Sequence, residues 1–389
     1  MTNAEIAEQI LPPEGLLGFR AISDCRTTDR RRVTPGLLYR SATPQFVSIE
    51  DAARFVAESG LAQVIDLRLD YESRIEGSGG FGTAEVRKTN IPFAIGAPVA
   101  AGSAVAPMPA TDPLVGTYLG YLDARAAFGA LIDALLAPDG LPAMIHCTVG
   151  KDRTGVAVAL LLDAIGVLRH DICVDYVGRS GDIAEMMGRL AQMPTYGDAV
   201  KVYPPQAYHA DPATMLRFLA WLDITHGGPK NWLESVGVSA ARIEELASRI
   251  LVPDTGEPVT QILRSALVAA PPDAVWALVG DVGAVHRWIP GLRASAVDGD
   301  TRSVTFDDGG QAHEQIVAHD DTGYSYTYRY LDGPLPLDEY ESTLTVGPEL
   351  SGDGALVVWN ATLRAAPTVV AAVEALYDTG IGRLGELFG

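Results

Sequence analysis

The residues with the most chemical potential stand together in the stretch AMIHCTVGKDRTGVAVAL, residues 143–160. Cys147, one of three cysteines, follows a short apolar run and precedes Thr148, Val149, Gly150, Lys151 and Asp152. An apolar helical pattern then opens at Thr154 and Gly155. A tight loop between a strand and a helix can turn its backbone N–H groups inward onto one anion. The helix N-terminus adds a favourable partial charge. Arg153, placed after the loop, can reach across and grip two phosphate oxygens with its planar fork. The same field should depress the thiol pKa and make Cys147 a thiolate nucleophile. Its attack on phosphorus would form a thiophosphate, which water would hydrolyse. The amides of Thr148, Val149, Gly150, Lys151 and Thr154, together with Arg153, would stabilise the equatorial oxygens. No metal or other cofactor is expected, because the loop supplies the positive charge that two-metal sites take from ions. His146 is expected to brace the loop by hydrogen bonding. Cys25 and Cys173 lack such a setting and read as structural.

Elements that could position this loop are legible around it. RVTPGLLYRSA, from Arg32 to Ala42, reads as a turn leading into a strand. SIEDAARFVAESG reads as a helix capped by Ser48 and stopped at Gly60. AQVIDLR and VRKTNIPF read as buried strands. Helical pattern runs from Leu114 to Ala137 and resumes after the loop to about Leu251, with Ser239 a candidate cap for the last helix. This order predicts an α/β fold with a central sheet flanked by helices. Residues 94–113 form a long Ala/Pro/Gly-rich stretch that reads as a lid or a disordered segment.

VPDTGEP, just before residue 259, reads as a linker. Beyond it, alternating runs such as SVTFDD, GYSYTYRYL and ALVVWNATL predict antiparallel strands, and a long helix closes the chain. The expected division is 1–252, a linker at 253–258, and a C-terminal α+β domain at 259–389.

Composition narrows the partners. The 389-residue chain is 48% hydrophobic and carries a formal net charge of −20. Such an acidic chain is a poor match for nucleic acid, whose phosphates need clustered Lys and Arg. A local basic pocket for an anionic substrate remains compatible with it. Three cysteines suit a reducing compartment, and no signal peptide or transmembrane segment is apparent, so a cytoplasmic location is expected.

HCTVGKDRTG resembles the Cys-x5-Arg-Thr/Ser signature of cysteine-dependent phosphatases, and its Gly-Lys-Asp-Arg-Thr-Gly core resembles the atypical bacterial tyrosine phosphatases. PGLLYRSA, VIDLR, DYVGRS and GGPKNWLESVGVS extend the resemblance over roughly residues 15–250. It implies the cysteine phosphatase fold, Cys147 as nucleophile, Arg153 as phosphate clamp, and Lys151 and Asp152 as extra loop groups. It also implies phosphotyrosine protein or phosphoinositide substrates; Lys151, as added charge at the rim, suits the latter. The family commonly carries an Asp just after the PF that ends the strand before the lid. Here NIPFAIGAPVAAGSAVAPMPATDP offers no carboxylate before Asp112. Three candidates for the proton donor follow: Asp152 in the loop, which is favoured, Asp112 at the end of the lid, and Asp66 at a strand end, where pairing with Arg68 or Arg40 is the plainer role. Slow turnover without an acid is the remaining alternative.

APPDAVWALVGDVGAVHRWIPG, YRYLDGPLPLDEYESTLTV and VVWNATL are similar to the START-like helix-grip superfamily, in its polyketide cyclase/dehydrase branch. That resemblance implies a sheet gripping the last helix around an apolar cavity for a hydrophobic small molecule. His286, Trp288, Tyr328, Tyr340 and Trp359 are candidates to line it. Two other readings stand beside a phosphomonoesterase: a lipid- or polyketide-binding protein with a slow or regulatory phosphatase half, and a cyclase or dehydratase acting in the C-terminal cavity.

Overall fold

The computed structural model describes residues 11–95, 113–178, 183–198, 208–350 and 352–389. Most of the expected lid, including Asp112, lies outside the described residues.

Short hydrophobic runs build the first sheet. Its order is β1 (Arg20–Ala21), β3 (Leu38–Ser41), β6 (Ala143–His146), β4 (Gln63–Asp66), β5 (Arg87–Asn90). Only β1 is antiparallel to its neighbour; β6 pairs in parallel with β3 on one side and β4 on the other. All four residues of β6 are buried, as a parallel strand covered on both faces must be. Helix α1 (Ile49–Ser59) follows the predicted signals: Ser48 Oγ accepts from Asp51 N–H at 3.0 Å, and Gly60 stops the helix with a φ of +64°. Next come α2 (Asp70–Glu76), α3 (Pro113–Gly120), α4 (Arg125–Leu136) and α5 (Asp152–Ala164). In α5 every residue except Asp152 and Asp163 is buried, so this helix forms the middle of the core beneath the loop.

Helices α6 (Arg169–Val177), α7 (Ile183–Leu190), α8 (Pro212–His226), α9 (Pro229–Ser235) and α10 (Ala240–Ile250) complete this half. Ser239 stands at the N-cap of α10 with extended backbone, but its side chain makes no capping bond, contrary to expectation. The expected linker is also partly structured. β7 (Leu251–Pro253) pairs antiparallel with β2 (Arg31–Val33), and Asp254 N–H donates to the Arg30 carbonyl at 2.8 Å.

The second half is a seven-stranded antiparallel sheet. Its order is β8 (Thr260–Val268), β14 (Ala355–Arg364), β13 (Glu339–Pro348), β12 (Ser325–Asp332), β11 (Gln311–Asp320), β10 (Thr301–Phe306), β9 (Leu292–Asp298). Short α11 (Pro272–Val279) and long α12 (Pro367–Phe388) cover its inner face, where Val373, Tyr377 and Leu384 of α12 meet Trp359 and Leu363. The predicted helix-grip arrangement is therefore present.

Period-two alternation gives β14 two buried faces. Val357, Trp359, Ala361 and Leu363 enter the helix-grip core, while Leu356 and Val358 pack on Val115, Ala220 and Trp221 of α3 and α8. Arg217 of α8 reaches the same outer face, bonding Thr345 Oγ1 and, at 3.2 Å, the Gly323 carbonyl. Gly347 permits this approach, since a Cβ there would lie 2.4 Å from Arg217 Cδ. Among the described residues no helix is long and apolar enough to cross a membrane, and no group of three His, Cys, Asp or Glu side chains could hold a metal ion.

Candidate active site

The loop from Cys147 to Lys151 leaves the carboxyl end of β6, where an α/β sheet opens its crevice. Four of its five carbonyls have hydrogen-bond partners. The Cys147 carbonyl lies 2.9 Å from His146 Nδ1. The Thr148 carbonyl accepts from Thr43 N–H at 2.9 Å, and the Lys151 carbonyl from Gly155 N–H at 2.7 Å. The Gly150 carbonyl accepts from Arg40 Nη2 at 2.9 Å. With these carbonyls held, the loop N–H groups can converge on one anion, as in an anion nest. Gly150 N–H points at Cys147 Sγ from 3.2 Å. Gly150 adopts a φ of +76°, and a Cβ there would fall 2.3 Å from the Ser41 carbonyl oxygen, so no other residue fits.

Buried ions hold the loop from behind. Arg40, 1% exposed, pairs with Asp175 at 2.5 Å, and Arg20 donates to the Asp175 carbonyl at 2.6 Å. Asp66 is taken up by Arg68, with Nε to Oδ1 at 2.9 Å and Nη2 to Oδ2 at 2.7 Å. Burial works against the Asp66 charge, but His146 and Arg68 outweigh it and bring the pKa down to about 2. His146 is fully buried, which lowers its pKa against the pull of Asp66. Its Nδ1, protonated in the imidazolium and in one neutral tautomer alike, can donate to the Cys147 carbonyl, the bracing contact that the sequence suggested.

Helix α5 begins at Asp152, two residues earlier than the pattern implied, with an acid in the first turn where the helix dipole favours it. Arg153 thus points into the nest from the second helical residue. Its fork is met by Glu72 of α2: Nη1 to Oε2 is 2.6 Å and Nη2 to Oε1 is 3.1 Å. Nη2 also donates to Thr148 Oγ1 at 3.0 Å and Tyr196 Oη at 2.8 Å. Burial opposes both charges. The neighbouring phenol, thiol and carboxyl groups nevertheless hold the Arg153 pKa above its ordinary value, and Arg153 holds Glu72 below its own.

Sequence reasoning missed Glu72, Tyr118 and Tyr196. Glu72 had a local signal, being the third residue of α2, where its Oε2 accepts from Leu69 N–H at 2.7 Å. Nothing in the sequence named its distant partner. The Glu72 and Asp66 pairs carry a stability prediction. Both folded pKa values lie below the unfolded ones, so their contribution is fully present above the ordinary carboxylate range and is lost as pH falls through the folded values. Acid unfolding should therefore deepen between about pH 4.5 and 2. Glu72→Gln should flatten that slope in chemical denaturation titrations, and an unchanged slope would remove Glu72 from the account.

The other loop residues sort by contact. Asp152 Oδ1 accepts from Tyr118 Oη at 2.8 Å and lies 3.2 Å from Lys151 Nζ, with 29% of the Asp152 side chain exposed. Lys151 was expected at a charged rim. Its side chain is only 7% exposed and lies along the loop toward the His209 carbonyl, 3.3 Å away. Val149 packs with Met186 and Leu190, and the Thr154 hydroxyl is buried without a hydrogen-bond partner. Cys25 and Cys173 are buried, and burial raises both thiols.

The C-terminal cavity holds about 50 Å³. Tyr328, Tyr340 and Trp359 line it. Trp288 is buried behind them, its ring 5.2 Å from Trp359. His286 is turned away: its Nδ1 meets Ser295 Oγ at 2.7 Å, while Val285 and Ile289 of the same turn face the cavity. Tyr377 of α12 stacks on Trp359 at 3.8 Å.

Comparisons with known proteins fit this geometry. A Cupriavidus necator protein named as a tyrosine-protein phosphatase is 32% identical over 49% of this chain and 72% of its own length. The triple specificity protein phosphatase PtpB of Mycobacterium tuberculosis is 29% identical over 33% of this chain, and a tyrosine-protein phosphatase of Nostoc commune is 30% identical over 36%. The chain spans about half the length of these last two, 50% and 49%. Residues 260–389 match the family described as polyketide cyclase/dehydrase and lipid transport. Residues 11–252 match the tyrosine phosphatase family, and with well over half of its length so matched the chain belongs to that family of phosphoric monoester hydrolases.

Proposed function

We propose that this chain hydrolyses phosphoric monoesters through a cysteinyl-phosphate intermediate on Cys147. The observation that carries the reading is the loop whose carbonyls are held by Arg40, Thr43 and His146 while Gly150 N–H donates to the Cys147 sulfur. The thiolate donates an electron pair to phosphorus, and the bond to the leaving oxygen breaks. Water then attacks the thiophosphate and the P–S bond breaks, which returns the thiolate. Arg153 and the loop amides hold the equatorial oxygens throughout. In this reading Asp152, as the carboxylic acid, protonates the leaving oxygen, and the carboxylate so formed takes the proton of the attacking water; its side chain is partly exposed at the first helical residue and is bonded by the Tyr118 hydroxyl.

The substrates proposed are phosphotyrosine proteins and phosphoinositides. The C-terminal domain, of the cyclase and lipid-transport kind, implies a hydrophobic ligand. One observation favours a second reading, a ligand-binding protein with slow phosphatase turnover: Glu72 already occupies the Arg153 fork that a phosphate would use. A screen of the purified chain with phosphotyrosine peptides, phosphoserine peptides and phosphoinositide vesicles tests both. Turnover on none of them would overturn the hydrolase reading.

The acid has its own test. Asp152→Asn should slow an alkyl phosphate by about 10²-fold or more and an activated aryl phosphate only slightly, because the aryl leaving oxygen barely needs a proton. An equal loss on both substrates would assign Asp152 to loop structure instead. A leaving-group-dependent loss at Asp112→Asn would move the role to the segment before α3.

A further inference from the structure

Asp152 meets its neighbours through one oxygen. Tyr118 Oη donates to Asp152 Oδ1 at 2.8 Å and is itself hydrogen-bonded to Tyr176 Oη. Each phenol has one proton to give. The order of donors is then fixed: Tyr176 gives its proton to Tyr118, and Tyr118 gives its own to Asp152. Burial raises both phenols and the nearby Asp152 adds to the effect, so both keep their protons at neutral pH. Lys151 Nζ lies 3.2 Å from the same Oδ1. Among the described residues no donor reaches Oδ2. A carboxylic acid accepts best on its carbonyl oxygen, so a donor fixed on Oδ1 leaves the acid proton on Oδ2.

Packing decides where that donor stands. Tyr118 is fully buried. Its ring stands edge-on to Tyr176 of α6, with centres 6.2 Å apart, and edge-on to Phe218 of α8 at 5.9 Å. Phe218 belongs to the stretch of α8 that meets the C-terminal sheet. Arg217 just before it bonds Thr345 Oγ1 and the Gly323 carbonyl. Ala220 and Trp221 just after it pack with Leu356 and Val358 of β14. Val115, one turn before Tyr118 on α3, joins that same cluster, and Leu119 packs against it. The helix that carries the hydroxyl and the helix that stops its ring are thus both seated on the outer face of the C-terminal sheet. A ring packed this closely keeps its hydroxyl in one place.

We infer that Tyr118 is a positioning residue for the acid: it holds Asp152 Oδ1 so that the proton for the leaving oxygen sits on Oδ2, and the C-terminal sheet holds Tyr118. The inference rests on the reading of Asp152 as the proton donor. As Asp152 gives its proton to the leaving oxygen, negative charge grows on a group that already receives an O–H bond. That bond becomes charge-assisted and stronger, so it favours the transition state over the ground state. When water attacks the thiophosphate, the carboxylate takes the water's proton on Oδ2 and the acid is restored. The second domain thereby takes part in the hydrolytic site without touching the substrate.

Kinetics of the full chain on 4-nitrophenyl phosphate and benzyl phosphate test it, read as kcat/KM, which covers the step that expels the leaving group. Tyr118→Phe keeps the ring and removes only the hydroxyl. The ratio of nitrophenyl to benzyl kcat/KM should rise about tenfold, the worth of a hydrogen bond to a charged group, because only the alkyl leaving oxygen needs the proton. A merely structural defect would slow both substrates and leave the ratio in place. Tyr118→Phe added to Asp152→Asn should change the ratio by less than about twofold, since the two groups act as one unit. Leu356→Ala, which thins the seat of α3 and α8 from the C-terminal side, should raise the ratio by about threefold. Near-UV circular dichroism checks the fold; if Leu356→Ala does not fold, Val115→Ala makes the same comparison from the α3 side. A ratio moved by Asp152→Asn but not by Tyr118→Phe would overturn the positioning role and leave the acid reading standing. A ratio that Asp152→Asn does not move would overturn both, with hydrolysis on Cys147 untouched. A ratio raised by Tyr118→Phe but not by the seat variant would show that the C-terminal sheet takes no part.

Discussion

Cys147→Ser should abolish turnover and leave phosphate binding in place. A serine hydroxyl fills the same volume, and the loop carbonyls stay pinned by Thr43, Arg40 and Gly155, so the nest survives. What is lost is the nucleophile, because a hydroxyl oxygen is a far weaker nucleophile toward phosphorus than the cysteine sulfur. The loss expected in kcat is on the order of 10³-fold or more, about 4 kcal/mol of barrier. Phosphate or vanadate affinity, read by calorimetry, should change by no more than about threefold, since loop amides and Arg153 make those contacts. Substantial residual turnover would sink the covalent mechanism. Loss of anion binding along with turnover would mean that the thiol shapes the nest.

Arg153→Lys should be nearly as severe, at about 10²- to 10³-fold in kcat/KM. The charge is kept, yet an ammonium cannot present two parallel N–H groups to phosphate or reach Glu72, Thr148 and Tyr196 together as Arg153 does. The companion variant Glu72→Gln keeps the guanidinium while removing the ion pair. Arg153 would still be held by Thr148 and Tyr196, so its loss should stay within about tenfold. A Glu72→Gln enzyme as poor as Arg153→Lys would show that the pair, rather than the fork's contact with phosphate, carries the effect. A mild Arg153→Lys would contradict the proposed clamp outright.

Much of this site was legible before any coordinates. Chemistry that sits in consecutive residues writes its own signature. Cys147, Gly150 and Arg153 share one strand–loop–helix, and the loop's small spacing fixes where each can point. The Ser48 cap and Gly60 stop of α1 were equally local. Groups recruited from elsewhere were not legible. Glu72 lies 81 residues from Arg153, and Tyr118 lies 34 residues from Asp152. Their partnership depends on how α2 and α3 pack, which no pattern in the sequence states. His286 failed for a different reason. Its neighbours Val285 and Ile289 are better apolar fillers, and a short turn can bury only one side. Ser239 shows that a capping residue at the right position need not make the bond.

The two-faced strand β14 has a consequence for anyone who would take the chain apart. The coil that follows β7 looks like a place to cut. A fragment ending there would nonetheless present Val115, Ala220 and Trp221 to water, and the remainder would present Leu356 and Val358. Each piece would carry a sticky apolar scar where its partner had been. The chain is thus divisible on paper at a hinge of a few residues but welded along a wall. A replacement for the C-terminal half would leave Val115, Ala220 and Trp221 uncovered unless it brought an apolar sheet face to α3 and α8.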